Sequence, residues 1–218
     1  MSLTGWLQTT FGQQFYSDTF ALHRVDLLQA IVDVLRQPTG KSHWIVAAHF
    51  PRAFDELTAC LDRHEIRFRI GDRPLDSHTV RDAVQPGEIV VTLAEMLRCG
   101  DATRPGESIE NPVSVLLVER HPLLRRDDPV AQFVRQIRGQ RRLAYYLALD
   151  DPLVQQILSP QILEVLRQFG LTERDLVSSH LVSRAIKRWQ RKMERQVQQE
   201  NPADSCAAWL EQNLGRSR

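Results

Sequence analysis

The amino-acid sequence predicts an α/β fold, a single lobe with a parallel-rich sheet followed by an all-helical segment. Continuous apolar runs such as HWIVAAHF at 43–50 and VSVLLVE at 113–119 are typical of strands that are covered on both faces. Segments with helical spacing of apolar residues separate these runs, and this alternation indicates a mostly parallel sheet. After residue 151 the strand signals end and only helical patterns remain.

The elements follow one another in a regular order. A mixed polar and aromatic arm covers 1–18, and apolar residues then recur at helical spacing from Thr19 to Gln37. The strands that we predict are 43–50, 66–72, 88–96, 113–119 and 141–150, and the helices between them are 51–65, 75–84 and 128–139. The later helical segments are DPLVQQIL, PQILEVLRQFG, residues 178–199 and ADSCAAWLEQNL.

These patterns divide the chain into three parts. They are an N-terminal arm and helix at 1–40, an α/β lobe at 41–155 and a helical segment at 156–218. A chain of 218 residues suits one globular domain with an appendage, and it can bury its apolar surface without metals or disulfides.

The composition excludes several classes of protein. A net charge of +1 argues against a protein that coats nucleic acid by bulk electrostatics. The three cysteines are far apart, which suits a reducing compartment and argues against a zinc cluster. We find no signal peptide and no apolar run near the ~18 residues of a membrane span. We therefore expect a cytoplasmic protein without a metal site.

The TGKS tetrapeptide at 39–42 is a fragment of a phosphate-binding loop pattern. The full pattern requires a glycine five residues before Gly40, where this chain has Leu35, and it requires a strand before the loop and a helix after it. Here a predicted helix precedes the loop and a predicted strand follows. We interpret TGKS as the end of a helix.

Three stretches resemble the SecA family, the motor ATPases of preprotein export. The family's VIGTERHESRRIDNQL region is matched by VLLVERHPLLRRDDPVAQF at 115–133, and its FYLSLEDDLM stretch by YYLALDDPLV at 145–154. The start of the family's helical scaffold is similar to LVSRAIKRWQRKME at 181–194. The resemblance spans roughly 40–195. It implies a RecA-like lobe, the second nucleotide-binding lobe of a P-loop NTPase, followed by the start of the helical scaffold.

The resemblance also implies what this sequence lacks. The family's first motor lobe, with its Walker A loop and the acidic Walker B motif that holds Mg²⁺, has no counterpart in these residues. Without them nothing holds the phosphates or activates the attacking water. We therefore expect no catalytic residues and no ATP turnover by the chain alone, and ATP as a cofactor only together with a partner lobe.

Two arginine-containing motifs are the candidates for sensing nucleotide phosphate. The family's TNMAGRGTDI motif falls on TLAEMLRCGDA at 92–102, which places Arg98 and Asp101 on the family's Arg and Asp. The arginine-finger motif QLRGRAGRQGD falls on QFVRQIRGQRR at 132–142, where Arg135 and Arg138 lie three residues apart on one helix face. Arginine forks bind phosphate oxygens in pairs.

Each candidate has a structural alternative. Arg98 and Asp101 could be a helix cap and a loop charge. The two arginines near residue 136 could be a remnant helix face, solvated or paired with Asp127 and Asp128.

The helix predicted at 178–199 carries basic residues around an apolar stripe, namely Arg184, Lys187, Arg188, Arg191, Lys192 and Arg195. We interpret Leu181, Ala185, Trp189, Met193 and Val197 as its apolar stripe. The residues that we assign to a partner or scaffold surface are Leu181, Arg188, Trp189 and Arg191. The alternatives are contact with an acidic membrane or nucleic acid, and simple packing on the lobe.

The sequence leaves two principal functions open. The first is a degenerate SecA-related motor lobe that binds a protein partner, either a nucleotide-bearing first lobe or a translocase component. The second is one half of a split SecA-like ATPase for protein translocation, active only with a separate P-loop chain. A helicase-like nucleic-acid module is disfavoured by the net charge and by the lack of interleaved exposed aromatic residues.

Overall fold

The computed structural model describes residues 16–37, 42–100, 109–158 and 176–215. The strands are β1 (Tyr16–Ala21), β2 (His43–Ala48), β3 (Arg69–Ile70), β4 (Leu75–Asp76), β5 (Ile89–Leu93), β6 (Leu97–Arg98), β7 (Ile109–Leu117) and β8 (Gly139–Ala148). The helices are α1 (Arg24–Arg36), α2 (Pro51–Arg63), α3 (Val80–Ala83), α4 (Leu124–Gln136), α5 (Pro152–Gln155), α6 (His180–Gln196) and α7 (Cys206–Leu214).

Six strands form one parallel sheet in the order β1-β8-β7-β2-β5-β3, and β4 and β6 form a separate parallel pair. Helices cover both faces of the large sheet, which explains why β2 is buried along its whole length. This architecture confirms the predicted α/β class and is consistent with a RecA-like domain.

Two hydrophobic clusters lie on the two faces of the sheet. On one face α1 and α2 bury Leu27, Ile31 and Leu57 against the strands. On the other face α4, α6 and α7 pack together with residues such as Phe133, Ile186 and Trp209. Because α6 and α7 contribute to the second cluster, the C-terminal helices are part of the packed core of the lobe.

The first described segment differs from its prediction. Helical spacing placed a helix from Thr19, but Tyr16–Ala21 forms the edge strand β1, which pairs with β8, and the helix begins at Arg24. Asp18 and Thr19 are polar, yet both are buried inside the fold. Their polarity concealed a buried strand.

Two further predictions were too long. The strand predicted at 66–72 is reduced to the two residues of β3. The helix predicted at 75–84 is wrong in its first half, where β4 pairs with β6, and only Val80–Ala83 is helical.

The helical character of the C-terminal segment agrees with prediction in α5, α6 and α7. Among the described residues beyond 158 there is no strand, only an isolated antiparallel bridge between Phe20 and Val177. The predicted helix PQILEVLRQFG lies outside the described residues. In the described parts of the chain, no helix has the length and apolarity to cross a membrane.

Candidate functional site at the carboxyl edge of the sheet

Several buried polar residues of the lobe lie at or near the carboxyl ends of the parallel strands, where open α/β sheets bind ligands. Five of them form one buried group that we call the carboxyl-edge network: Asp18, His49, Arg120, Asp127 and Gln190. They come from β1, the loops after β2 and β7, α4 and α6. Each is almost completely shielded from solvent, so each needs a partner inside the protein.

Arg120 is the centre of this network. Its Nη2 atom donates to Oδ1 of Asp18 at 2.6 Å, and its Nη1 atom donates to Oδ2 of Asp127. The guanidinium also lies 3.7 Å from the centre of the Tyr145 ring. The two carboxylates and the aromatic ring together compensate for the hydration that Arg120 loses when it is buried.

Asp127 is bound by two further side chains. His49 Nε2 lies 2.9 Å from Oδ1 of Asp127, and Gln190 Nε2 donates to Oδ2 at 3.1 Å. Burial alone would raise the pKa of Asp127, but the Arg120 guanidinium and the His49 hydrogen bond hold it well below its usual range. Because an ionised carboxylate only accepts hydrogen bonds, His49 carries its proton on Nε2.

Glu119 begins a second polar group beside the network. Its Oε1 atom accepts from the backbone N–H groups of His49 at 3.0 Å and Phe50 at 2.9 Å. These groups stand at the start of α2, where N–H groups lack helical partners and favour a negative side chain. Burial raises the pKa of Glu119, and nearby Arg24 opposes that rise.

Asp151 belongs to the same group. Its Oδ2 atom accepts from the Ala148 N–H at 2.8 Å, and Arg24 lies 3.7 Å from its Oδ1 atom. Burial raises the pKa of Asp151 to about 7, although Arg24 and the backbone hydrogen bond favour its ionised form. Asp151 therefore changes between its protonated and ionised forms near neutral pH.

A cavity of about 650 Å³ opens at the same edge, between the sheet and the segment that contains α7. His121 forms part of its wall, stacked on Phe50 with ring centres 5.1 Å apart and meeting the Trp209 ring edge-on at 5.6 Å. Trp209 is completely buried and donates from Nε1 to Glu200 at 3.0 Å. The segment 200–209 therefore covers much of the edge that remains open in many α/β proteins.

His121 is neutral in this wall. Burial lowers its pKa to about 2, with His49 adding to the effect. The Leu123 N–H donates to Nδ1 of His121 at 3.0 Å, so the ring proton is on Nε2, 3.3 Å from Glu200.

Three arginines line the cavity, and two of them are paired. Arg125 donates to Glu194 at 2.6 Å and Arg126 to Glu200 at 2.9 Å. Arg98 is exposed at the cavity rim. The arrangement offers a ligand three exposed arginines, two of them ion-paired, beside an aromatic surface. In the described ranges no cluster of His, Cys, Asp or Glu has a geometry suited to a metal ion.

The predicted phosphate-sensing residues lie in two linked segments. The Ser77 N–H donates to the Arg98 carbonyl at 3.1 Å, while the Ser77 hydroxyl donates to Gln136 at 2.9 Å and accepts from the Gly100 N–H at 2.8 Å. Ser77 thus joins the Arg98 strand to the last turn of α4, which contains Arg135.

These residues do not all share the carboxyl edge. The prediction that Arg135 and Arg138 share one helix face is wrong, because α4 ends at Gln136 and Arg138 lies beyond it, directly before β8. Both residues are exposed near the amino end of β8, and neither lines the cavity. Asp101 lies outside the described residues. Asp127, considered above as a partner for these two arginines, is instead bound by Arg120. A role of Arg98, Arg135 and Arg138 in phosphate sensing stays a prediction.

The predicted stripe of the scaffold helix is confirmed at Met193 and Val197, but its first part is shifted by one position. The buried face of α6 is Val182, Ile186, Gln190 and Met193, followed by Val197 just past the helix. Leu181 is 72% exposed, whereas Trp189 is half-buried against the core. Arg188 and Arg191 are exposed as expected. Leu181 and Trp189 therefore do not form the centre of the buried face.

Sequence reasoning gave no role to Asp18, Arg120 or Gln190. One signal was available, because the residues that follow a buried strand lie at the carboxyl edge and VSVLLVE is followed at once by Arg120 and His121. Nothing local to Asp18 or Gln190 indicated that these polar side chains are buried.

Fold and site together define a parallel α/β lobe whose carboxyl edge holds an internally paired polar network. Among known proteins, the chain is similar to the protein translocase subunit SecA of Clostridium novyi (strain NT), with 30% identity over 115 residues. That match covers 48% of this chain and 13% of the SecA protein, so it supports a SecA-related region within the chain. No family model matches the chain.

Proposed function

We propose that this chain is a degenerate SecA-related motor lobe that does not hydrolyse ATP on its own and acts by binding a protein partner. The observation that carries the proposal is the covering of the carboxyl edge. The segment 200–209 packs over the strand ends through Trp209, and the backbone N–H of Arg52 donates to the Asp204 carbonyl at 2.9 Å. A nucleotide at this edge would have to use the cavity beside that segment, where Arg125 and Arg126 are already bound by carboxylates of the lobe.

The internal pairing of the polar groups supports the same proposal. Arg120, the most central cation at the edge, is already held by two carboxylates, and Arg125 and Arg126 are each held by one. A phosphate group would therefore compete with carboxylates of the lobe itself. The exposed surfaces that remain for a partner include Arg98 and the outer face of α6.

The test is to measure phosphate release from ATP with Mg²⁺ by the purified chain, together with equilibrium binding of a fluorescent ATP analogue. We expect no turnover above a protein-free blank, and binding no tighter than the millimolar range, about −4 kcal/mol. Turnover that requires Mg²⁺, scales with protein concentration and persists through repeated purification would refute the proposal.

The second candidate, half of a split ATPase, is favoured by the Ser77 link between the Arg98 strand and the last turn of α4. If Arg135 and Arg138 reach a nucleotide held by another chain, replacing both with Ala should weaken partner-dependent nucleotide binding a hundredfold or more, at about 1.4 kcal/mol per decade. The matched control replaces the exposed pair Arg63 and Arg67 with Ala. If the two double variants bind nucleotide with equal affinity in the presence of a P-loop chain, this sensing role is excluded.

A further inference from the structure

The outer face of α6 carries a row of cations. Five side chains form what we call the basic stripe, and all are exposed: Arg184, Arg188, Arg191, Lys192 and Arg195. Steps of three and four residues keep them on one side of the helix. At 1.5 Å per residue, the row from Arg184 to Arg195 is about 16 Å long.

This stripe has almost no compensating charge within its own helix. Residues 180–196 contain six Lys and Arg side chains and one carboxylate, Glu194, which Arg125 already binds. The helix therefore has a net charge of +5 in a chain whose net charge is +1, so the rest of the chain is net negative. The near-neutral net charge of the chain therefore conceals an uneven distribution of charge between this helix and the rest of the chain. The net charge is a poor guide to what this surface binds.

Packing of the lobe does not require the stripe. The buried face of the helix consists of Val182, Ile186, Gln190 and Met193, on the opposite side. Like charges four residues apart, such as Arg184 with Arg188 and Arg191 with Arg195, destabilise a helix. An anionic partner along the row would turn this repulsion into attraction.

We infer that the basic stripe binds the phosphodiester backbone of nucleic acid without sequence preference. Four of its five cations are arginines, whose planar forks pair with phosphate oxygens. Backbone contacts of this kind need no exposed aromatic residues, which serve base stacking.

An anionic membrane fits the same stripe less well. Helices that lie on membranes insert an apolar face beside their cations. The apolar face of α6 is buried in the lobe, and Leu181 is the exposed large hydrophobic residue of this helix. Nucleic acid can be bound through phosphate contacts alone.

The test uses the full chain with two labelled probes, a single-stranded RNA and a duplex DNA of about 20 nucleotides per strand, at roughly 50–200 mM salt. The RNA and duplex arms show which form of the backbone is preferred. Vesicles that contain an anionic phospholipid are tested in parallel by flotation. We expect binding to at least one nucleic acid, with an affinity that falls as salt rises.

The decisive variant is Arg188→Gln with Arg191→Gln, and the matched control is Arg67→Gln with Arg73→Gln near β3, where both arginines are exposed. The stripe variant should weaken binding at least tenfold at the lowest salt. It should also reduce the slope of log K against log salt by about 1.4 for RNA and about 1.8 for duplex DNA. The control should change neither quantity. If the stripe variant misfolds by circular dichroism, Arg184→Gln with Arg195→Gln replaces it.

The inference is overturned by an absence of binding to both nucleic acids at the lowest salt, or by equal losses in the stripe and control variants. Binding to anionic vesicles without binding to nucleic acid also overturns it and assigns the stripe to a lipid surface. The ATP measurements above are unaffected by any of these outcomes.

Discussion

Arg120 and Asp18 lie 102 positions apart in the chain, yet Nη2 of Arg120 is 2.6 Å from Oδ1 of Asp18, and both side chains are buried. This contact ties the edge strand β1 to the loop after β7. The same guanidinium also binds Asp127 at the start of α4. Three separate elements thus depend on one buried cation.

Replacing Arg120 with Met should therefore destabilise the lobe strongly. The substitution leaves Asp18 and Asp127 buried without their cation, and breaking a buried charge pair in this way costs about 3–5 kcal/mol. Arg125→Met, which removes the half-exposed contact with Glu194, should cost less than about 1 kcal/mol. Urea unfolding of both variants measures the difference. Similar small losses would show that the network contributes little to stability.

The stability of the lobe should depend on pH through Asp151. The pKa of this carboxyl group is about 7 in the folded state and about 3.9 when the chain is unfolded. Between these values the folded state binds more protons, so the contribution of Asp151 to stability is complete below pH 4 and is lost as pH rises through 7. The loss amounts to at most about 1.4 kcal/mol per pH unit.

His121 acts in the opposite direction. Its pKa falls to about 2 in the folded state, so its contribution is complete above about pH 6.5 and is lost as pH falls below that value. Between about pH 4.5 and 6.5 the contribution of His121 therefore opposes that of Asp151, while burial raises the pKa of Asp18 to about 7 and adds a contribution in the same direction as Asp151. Asp151→Asn should remove the contribution of Asp151, and its unfolding free energy should then rise across this range relative to the parent protein. Asp128→Asn, at an exposed position, is the control. If the unfolding free energies of the parent protein and of Asp151→Asn change in parallel with pH, the raised pKa of Asp151 is contradicted.

Gly100 should be intolerant of a side chain. A Cβ atom at this position would stand 1.9 Å from Cδ2 of His78 and 2.6 Å from Oδ1 of Asp76. We expect Gly100→Ala to cost about 1–3 kcal/mol through overpacking and to loosen the link that Ser77 makes with this loop. Adding His78→Ala should restore part of the loss, because it removes the nearer obstacle. Thermal unfolding of both variants tests this, and no recovery in the double variant would argue against the ring as the cause.

The sequence predicted the α/β class because alternating apolar runs and helical patterns depend on local spacing alone. It did not predict β1, because an aspartate such as Asp18 is usually exposed to solvent. Its burial depends on the contact with Arg120, which is distant in sequence. Sequence reasoning also missed the carboxyl-edge network for the same reason. Buried polar side chains are stable only through partners distant in sequence, and local patterns do not contain those partners.

The phase of α6 shows the same limit in a single helix. Leu181, Ala185 and Trp189 have helical spacing, and so do Val182, Ile186 and Gln190. Preferring apolar residues selects the first set, yet the second set is the buried one. The choice between them depends on Gln190, which donates from Nε2 to the His121 carbonyl at 2.7 Å and to Asp127.

A pair of substitutions distinguishes the two phases directly. Gln190→Leu keeps a similar volume but leaves the His121 carbonyl without its side-chain donor and removes one of the donors to the Asp127 carboxylate, which keeps Arg120 and His49. We expect a loss of about 1–3 kcal/mol. The loss should fall towards the lower end, because the buried Oε1 atom of Gln190 has no partner among the described residues and its removal is favourable. Leu181→Gln, at a position that is 72% exposed, should change the unfolding free energy by less than about 0.5 kcal/mol. If the predicted stripe were the buried one, the order would reverse, with Leu181→Gln costly and Gln190→Leu neutral. Urea unfolding of the two single variants decides between the phases, provided that the dependence of the unfolding free energy on urea concentration is the same in both.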